Sequence, residues 1–202
     1  MSPSKFRLRR VFRKPVLMAA GPFIKRDVHP NTITYTSLLF AFFGFLILVF
    51  TQNQMIFGVL VFTVGFLDGV DGAVARATNK ASKKGAFTDS IVDKLSEGII
   101  LLAIPLAFPS IEVLGLNIEL WAFACITSWL LTSYSRARAE PLGVQDLDIG
   151  LGARSERLFI LFLFSVISLL IIGLIVVTIV GIATAVYRVA HYRNQIVAQT
   201  SE

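Results

Sequence analysis

Four apolar runs long enough to cross a bilayer, Thr32–Phe50, Gln54–Ala75, Ala86–Phe108 and Glu119–Ala139, constrain this chain more than any other feature. A membrane-spanning helix needs about 20 predominantly apolar residues, and each run supplies them. A fifth stretch, Leu151–Ala190, is too long for one span. Its apolar part, Leu158–Tyr187, would extend about 45 Å as one helix, against a hydrocarbon core of about 30 Å. Two helices turning near Leu170–Leu174 fit better, with Gly173 as the expected corner. The expected fold is therefore an all-α integral membrane protein with six transmembrane helices. Composition agrees: the chain is 55% hydrophobic and 16% charged, against roughly 25% charged in soluble domains. One cysteine in 202 residues excludes a disulfide scaffold.

The positions of the charges give the net +6 its meaning. Lys and Arg gather before the first span, around Arg76–Lys84, around Arg136–Arg157 and after the last span, while Thr51–Met55, Pro109–Ile118 and the turn near Gly173 have none. Only Lys94 lies off those basic segments, inside a span. The positive-inside rule then places both termini and the basic loops in the cytoplasm, in a multi-pass cell-membrane protein. A five-span topology would strand Arg188 and Arg193 outside. Basic charge used this way sets topology and implies no nucleic acid partner. Phe6–Ala20 mixes Arg and Lys with Phe, Leu, Val and Met, which suits an interfacial amphipathic helix better than a cleavable signal. The chain thus divides into an interfacial helix (1–26) and a six-helix bundle (27–193). The Phe-rich first span (Phe40, Phe42, Phe43, Phe45, Phe50) is expected to face lipid or line an acyl groove, and the polar tail after Ala190 is expected to be mobile.

Ionisable groups inside spans are costly and mark function by default. Asp68 and Asp71 are three apart at the end of the second run, and Asp89 and Asp93 are four apart at the start of the third. On helices each pair shares a face. The short basic turn between the runs lets the two faces meet near the cytoplasmic surface. Four carboxylates together repel unless cations neutralise them. Lys94 and Arg76 neutralise part of the charge, and one or two hard divalent ions would do it better. All-oxygen ligands select Mg²⁺ or Mn²⁺ over zinc, and the dispersed Cys125, His29 and His191 offer no soft site. Gly69, Gly72, Ala73 and Ala75 thin the helix so that a ligand or a neighbouring helix can approach its backbone. Arg76 suits a phosphate oxygen.

The string Asp68-x2-Asp71-Gly72-x2-Ala75-Arg76-x8-Gly85-x3-Asp89-x3-Asp93 resembles the complete signature of the CDP-alcohol phosphotransferase family. Pro30-Asn31-Thr32-Ile33-Thr34 resembles the family motif that opens the first span. Ser133–Glu140 and Arg154–Leu158 resemble the phosphatidylinositol-phosphate and archaetidylinositol-phosphate synthase branch, so that the likeness covers roughly residues 25–160.

That resemblance implies transfer of a phosphatidyl-type group from CDP-archaeol or CDP-diacylglycerol to an alcohol, with release of CMP, by a homodimer among membrane lipids. It makes Asp68, Asp71, Asp89 and Asp93 ligands of two divalent ions, and Asp93 also the base for the attacking hydroxyl. Gly72, Arg76 and Ser82 would line the CDP moiety, Asn31, Thr32, Ile33 and Thr34 would close its other side, and Ala75 and Gly85 are the small residues of the same motif. Asn31 also has a reading as a helix N-cap. Ser133, Arg136, Arg138, Arg154 and Arg157 would bind the phosphate of myo-inositol 1-phosphate, with Glu140 and Glu156 orienting the arginines. Arg136 and the compact acceptor region favour the archaeol form of the donor. Glycerol 3-phosphate is the alternative acceptor. A cation transporter is the distant alternative, which the absence of an internal repeat disfavours.

Overall fold

The computed structural model describes residues 11–147, 149–150 and 152–200. The first part of the expected interfacial segment, residues 1–10, lies outside them. Among the described residues seven α-helices carry the fold: α1 (Arg13–Lys25), α2 (Pro30–Thr51), α3 (Gln54–Ala77), α4 (Lys83–Ala107), α5 (Ile118–Ala139), α6 (Arg154–Val166) and α7 (Leu170–Thr200). Between α4 and α5 a small antiparallel hairpin pairs Glu112 with Asn117 and Val113 with Leu116, a feature the apolar pattern did not announce.

Local chemistry sets the boundaries. α2 starts where Pro30 fixes φ, and His29 Nδ1 accepts the Asn31 N–H at 3.2 Å. The capping residue is therefore His29, not Asn31. Asn53 accepts the Ile56 N–H to start α3, and Ser82 Oγ accepts the Gly85 N–H at 3.0 Å to start α4.

α3 and α4 both pack on α2, α5 and α6 both pack on α7, and α3–α6 and α4–α5 contacts join the two groups. The main core contains Leu48, Phe57, Ile100, Ile104, Trp129, Leu161 and Leu174, all buried. A second core joins α1 to the site end of α3 through Ala20, Ile33, Val70 and Val74. Three helices are long and apolar enough to cross a membrane on those grounds alone: Pro30–Thr51, Gln54–Ala77 and Leu170–Ala198. α4 is as long but carries the charged groups of the site, and α6, at 13 residues, is about 20 Å long.

The last apolar stretch breaks earlier than expected. The corner is Ile167–Leu169, where Ser168 takes φ +59° and its N–H donates to the Ser165 carbonyl. Gln54 Oε1 accepts the Leu170 N–H at 3.0 Å and so caps α7 from across the bundle. Gly173 lies inside α7, where an added Cβ would come 2.6 Å from Phe164 Cβ. It is a close-packing residue, and the turn is made by a non-glycine in the left-handed region. The two positions should respond oppositely: Gly173→Val is expected to lower thermal stability by about 1–3 kcal/mol through overpacking. Ser168→Gly should leave it unchanged or raise it by up to about 1 kcal/mol. Thermal melts of the detergent-purified variants check both.

α7 also runs on past Ala190 to Thr200, so this segment is helix and not a mobile tail. Tyr192 is buried there, and its hydroxyl donates to the Leu147 carbonyl at 2.7 Å. Arg188 donates to the carbonyls of Ile149 and Thr132. The last turns of α7 thereby tie down the segment leading into α6.

Candidate active site

The site is built where α3 ends and α4 begins. Oxygens of Asp68, Asp71 and Asp89 lie within 4.8 Å of one another. The i, i+3 spacing on α3 aims two carboxylates one way, and the short Thr78–Ser82 connection returns α4 with Asp89 opposite them. Asp71 is 5% exposed and accepts the Thr34 hydroxyl at 2.7 Å, which anchors α2 to the cluster. Three carboxylates converging with only oxygen donors fit a hard divalent cation. Asp93, one turn along α4 from Asp89, stands outside that trio and faces Arg154.

Arg154, at the start of α6, is the centre of charge. Its Nη1 lies 3.0 Å from Asp68 Oδ2, its Nη2 2.9 Å from Asp93 Oδ1 and its Nε 3.1 Å from Glu97 Oε1. Lys94, expected to offset the aspartates, instead donates to Glu97 Oε2 at 2.7 Å. Glu97 is the residue that sequence reasoning missed. The available signal was its position four residues after Asp93, on the same face of α4.

A cavity of about 410 Å³ opens from the carboxylates. Asp68, Asp71, Asp89, Gly72 and Arg76 line its polar part. The Arg76 guanidinium overhangs Gly72, with Nη1 3.3 Å from where a Cβ would stand. Two turns back along α3 the lining becomes aromatic: Phe62 meets Phe12 at 5.6 Å between ring centroids, and Phe12 meets Phe159 at 5.8 Å. Val16 of α1 lies over Gly69. One continuous space thus has an anionic, metal-suited end and an apolar end roofed from the N-terminal side. The roof residues Phe12 and Val16 were not legible as site residues.

The other expected site residues are placed unevenly. Thr34 touches the cluster, while Ile33 is buried in the α1–α3 core and Thr32 is exposed. Ser82 caps α4, and Asn31 Oδ1 lies 3.6 Å from the position of a Cβ on Gly85, so these motif residues meet at the entry to α4. Ala75 is half-buried on α3. Arg157 is 2% exposed, with its guanidinium carbon 4.4 Å from the Trp129 ring centroid. That geometry is a cation–π contact. Ser133 is half-buried, and Arg136 and Arg138 are exposed at the end of α5. Glu156 accepts a hydrogen bond from Ser155, and Arg154 Nε donates to Glu97 Oε1.

The fold and the site together define an all-helical membrane protein with a carboxylate centre opening into an amphipathic cavity. The sequence pattern of the CDP-alcohol phosphatidyltransferases matches residues 27–190, and the chain belongs to that family of enzymes. It is 32% identical over 195 residues to the archaetidylinositol phosphate synthase of Pyrococcus horikoshii, covering 94% of this chain and 97% of that one. To the phosphatidylinositol phosphate synthase of Streptomyces avermitilis it is 32% identical over 155 residues, 75% of this chain and 62% of the relative. Its fold is similar to that of the Mycobacterium tuberculosis phosphatidylinositol phosphate synthase crystallised with CDP-DAG bound. The TM-score is 0.72 at 22% identity, over 88% of this chain and 92% of the other. A second crystal structure of that enzyme, in complex with manganese and citrate, matches at a TM-score of 0.73.

Proposed function

We propose that the protein transfers the phosphatidyl-type group of a CDP-lipid to a hydroxyl of myo-inositol phosphate, with CMP as the leaving group. The observation that carries this reading is Arg154. A guanidinium within 3.0 Å of Asp68 and 2.9 Å of Asp93 stands where an anionic acceptor must present its hydroxyl to the base. Arginine is the residue suited to bidentate phosphate contact. The relatives named above are, by their names, synthases of archaetidylinositol phosphate and phosphatidylinositol phosphate, which supports an inositol phosphate acceptor here. The near full-length likeness to the Pyrococcus protein supports CDP-archaeol as the donor.

The roles follow from position. Asp68, Asp71, Asp89 and Asp93 would hold two Mg²⁺ or Mn²⁺ ions, which when bound supply neutralisation of pyrophosphate charge. Arg76, above Gly72, holds a phosphate oxygen of the CDP moiety, and the motif residues Asn31, Thr32, Thr34, Ala75, Ser82 and Gly85 frame its entrance. The aromatic end of the cavity takes the lipid chains. Asp93 accepts the proton of the attacking inositol hydroxyl as the new bond to the lipid-bearing phosphorus forms and the bond to CMP breaks. Arg154, with Ser133, Arg136 and Arg138 nearer the surface, orients the acceptor phosphate. Positioning and electrostatics supply most of the acceleration.

Six spans with both termini and the site on the cytoplasmic side account for the basic segments. α1 then lies at the inner interface, with Leu17 and Met18 exposed beside Arg13 and Lys14. A homodimer is the assembly that the family resemblance implies.

The test is CMP release from purified protein with Mg²⁺ and either CDP-lipid, comparing inositol 1-phosphate, glycerol 3-phosphate, free inositol and no acceptor. Turnover is expected with inositol phosphate alone and should fall on the order of 10²–10⁴-fold in Asp93→Asn. Turnover with glycerol 3-phosphate alone would overturn the acceptor and leave the reaction class standing.

A further inference from the structure

Glu97 lies outside the Asp68–Asp93 signature, and neither the carboxylate trio nor the CDP side of the cavity accounts for it. It is 3% exposed, one helical turn beyond Asp93 on the same face of α4. A buried carboxylate is tolerated only against partners. Glu97 has two, accepting from Lys94 Nζ through Oε2 and from Arg154 Nε through Oε1.

The three contacts of Arg154 differ in kind. The Nε bond to Glu97 has hydrogen-bond geometry, whereas Nη2 stands at ion-pair distance from Asp93 but off the hydrogen-bond line. A guanidinium is a rigid planar fork, so a partner on Nε fixes the plane in which both Nη atoms swing. The oxygens those Nη atoms approach belong to Asp68 and Asp93, carboxylates that a divalent cation would also claim. Arg154 and a cation therefore compete for them. An arginine held only by those oxygens would block the site, whereas one held through Nε can yield them and stay in place.

We propose that Glu97 is a positioning residue that tethers Arg154 through Nε, limits its hold on Asp68 and Asp93, and keeps both Nη atoms available to the acceptor phosphate. The inference rests on the phosphotransfer reading above and deepens it. Lys94 completes the device by neutralising Glu97, so that the carboxylate directs Arg154 without adding a net charge beside the aspartates.

The experiment is a double-mutant cycle read by Mn²⁺ uptake, with free Mn²⁺ followed by electron paramagnetic resonance in the detergent-purified full-length protein. Arg154→Gln removes a competing cation and should tighten Mn²⁺ binding. Glu97→Gln should weaken it by about tenfold. It should also raise KM for inositol phosphate while leaving KM for the CDP-lipid unchanged. Glu97→Asp, which keeps the charge, should recover part of both effects. In the Arg154→Gln background, Glu97→Gln should no longer change Mn²⁺ affinity. Equal weakening in both backgrounds would mean that Glu97 acts as a through-space charge and would overturn the tether, as would weaker Mn²⁺ binding by Arg154→Gln. Neither result touches the reaction assigned above. No Mn²⁺ uptake by the unsubstituted protein would overturn the metal assignment and the tether together.

Discussion

Replacing Asp71 by asparagine is expected to lower CMP release on the order of 10²–10³-fold while the protein stays folded. Asp71 is the most enclosed of the three converging carboxylates, and Thr34 fixes its orientation with a 2.7 Å hydrogen bond. Asparagine keeps the volume, and its amide oxygen still accepts from Thr34, so the link between α2 and α3 survives. What disappears is one negative charge from a trio within 4.8 Å. Like charges that close destabilise the fold when no cation offsets them. In chelator-treated protein the variant should therefore melt at the same temperature as the unsubstituted chain or higher, while turnover and Mn²⁺ uptake fall together. Melting curves with and without Mn²⁺, beside a CMP assay, read both. A lower melting temperature with turnover retained would show that Asp71 serves the fold and not the chemistry.

The second large effect is expected at Gly72. The cavity reaches the α3 backbone there, and an added Cβ would sit 3.3 Å from Arg76 Nη1. Valine would push the guanidinium aside and fill the space assigned to the pyrophosphate. Because α3 keeps its course, Asp68 and Asp71 stay where they are. Gly72→Val should thus raise KM for the CDP-lipid or lower kcat/KM by on the order of 10²-fold, the cost of a displacement of about 1 Å at a reacting centre. Mn²⁺ affinity should remain within about twofold of the original, in line with the near-additivity of separated groups. Steady-state kinetics with varied CDP-lipid, beside Mn²⁺ titration, separates the two. Loss of Mn²⁺ binding in this variant would mean that Arg76 and the carboxylates form a single unit.

The sequence by itself laid out most of the helices and the carboxylates that meet at the centre. Apolar run length is a local property, so the runs beginning near Thr32, Gln54, Ala86 and Glu119 became helices within a few residues of their expected bounds. The convergence of Asp68, Asp71 and Asp89 was legible for the same reason, since helical spacing and one short turn suffice to bring them together. The corner at Ser168 was not legible. It is set by the cap from Gln54, 116 residues away in sequence, and by Phe164 packing on Gly173 across the turn itself. Tertiary structure alone also separated the arginines, sending Arg154 to the aspartates and Arg157 onto Trp129, two fates for residues three apart on one short helix. Glu97 meets Arg154 only because the start of α6 lies against α4. An ion pair between helices depends on where their backbones lie, and no spacing within either helix encodes that.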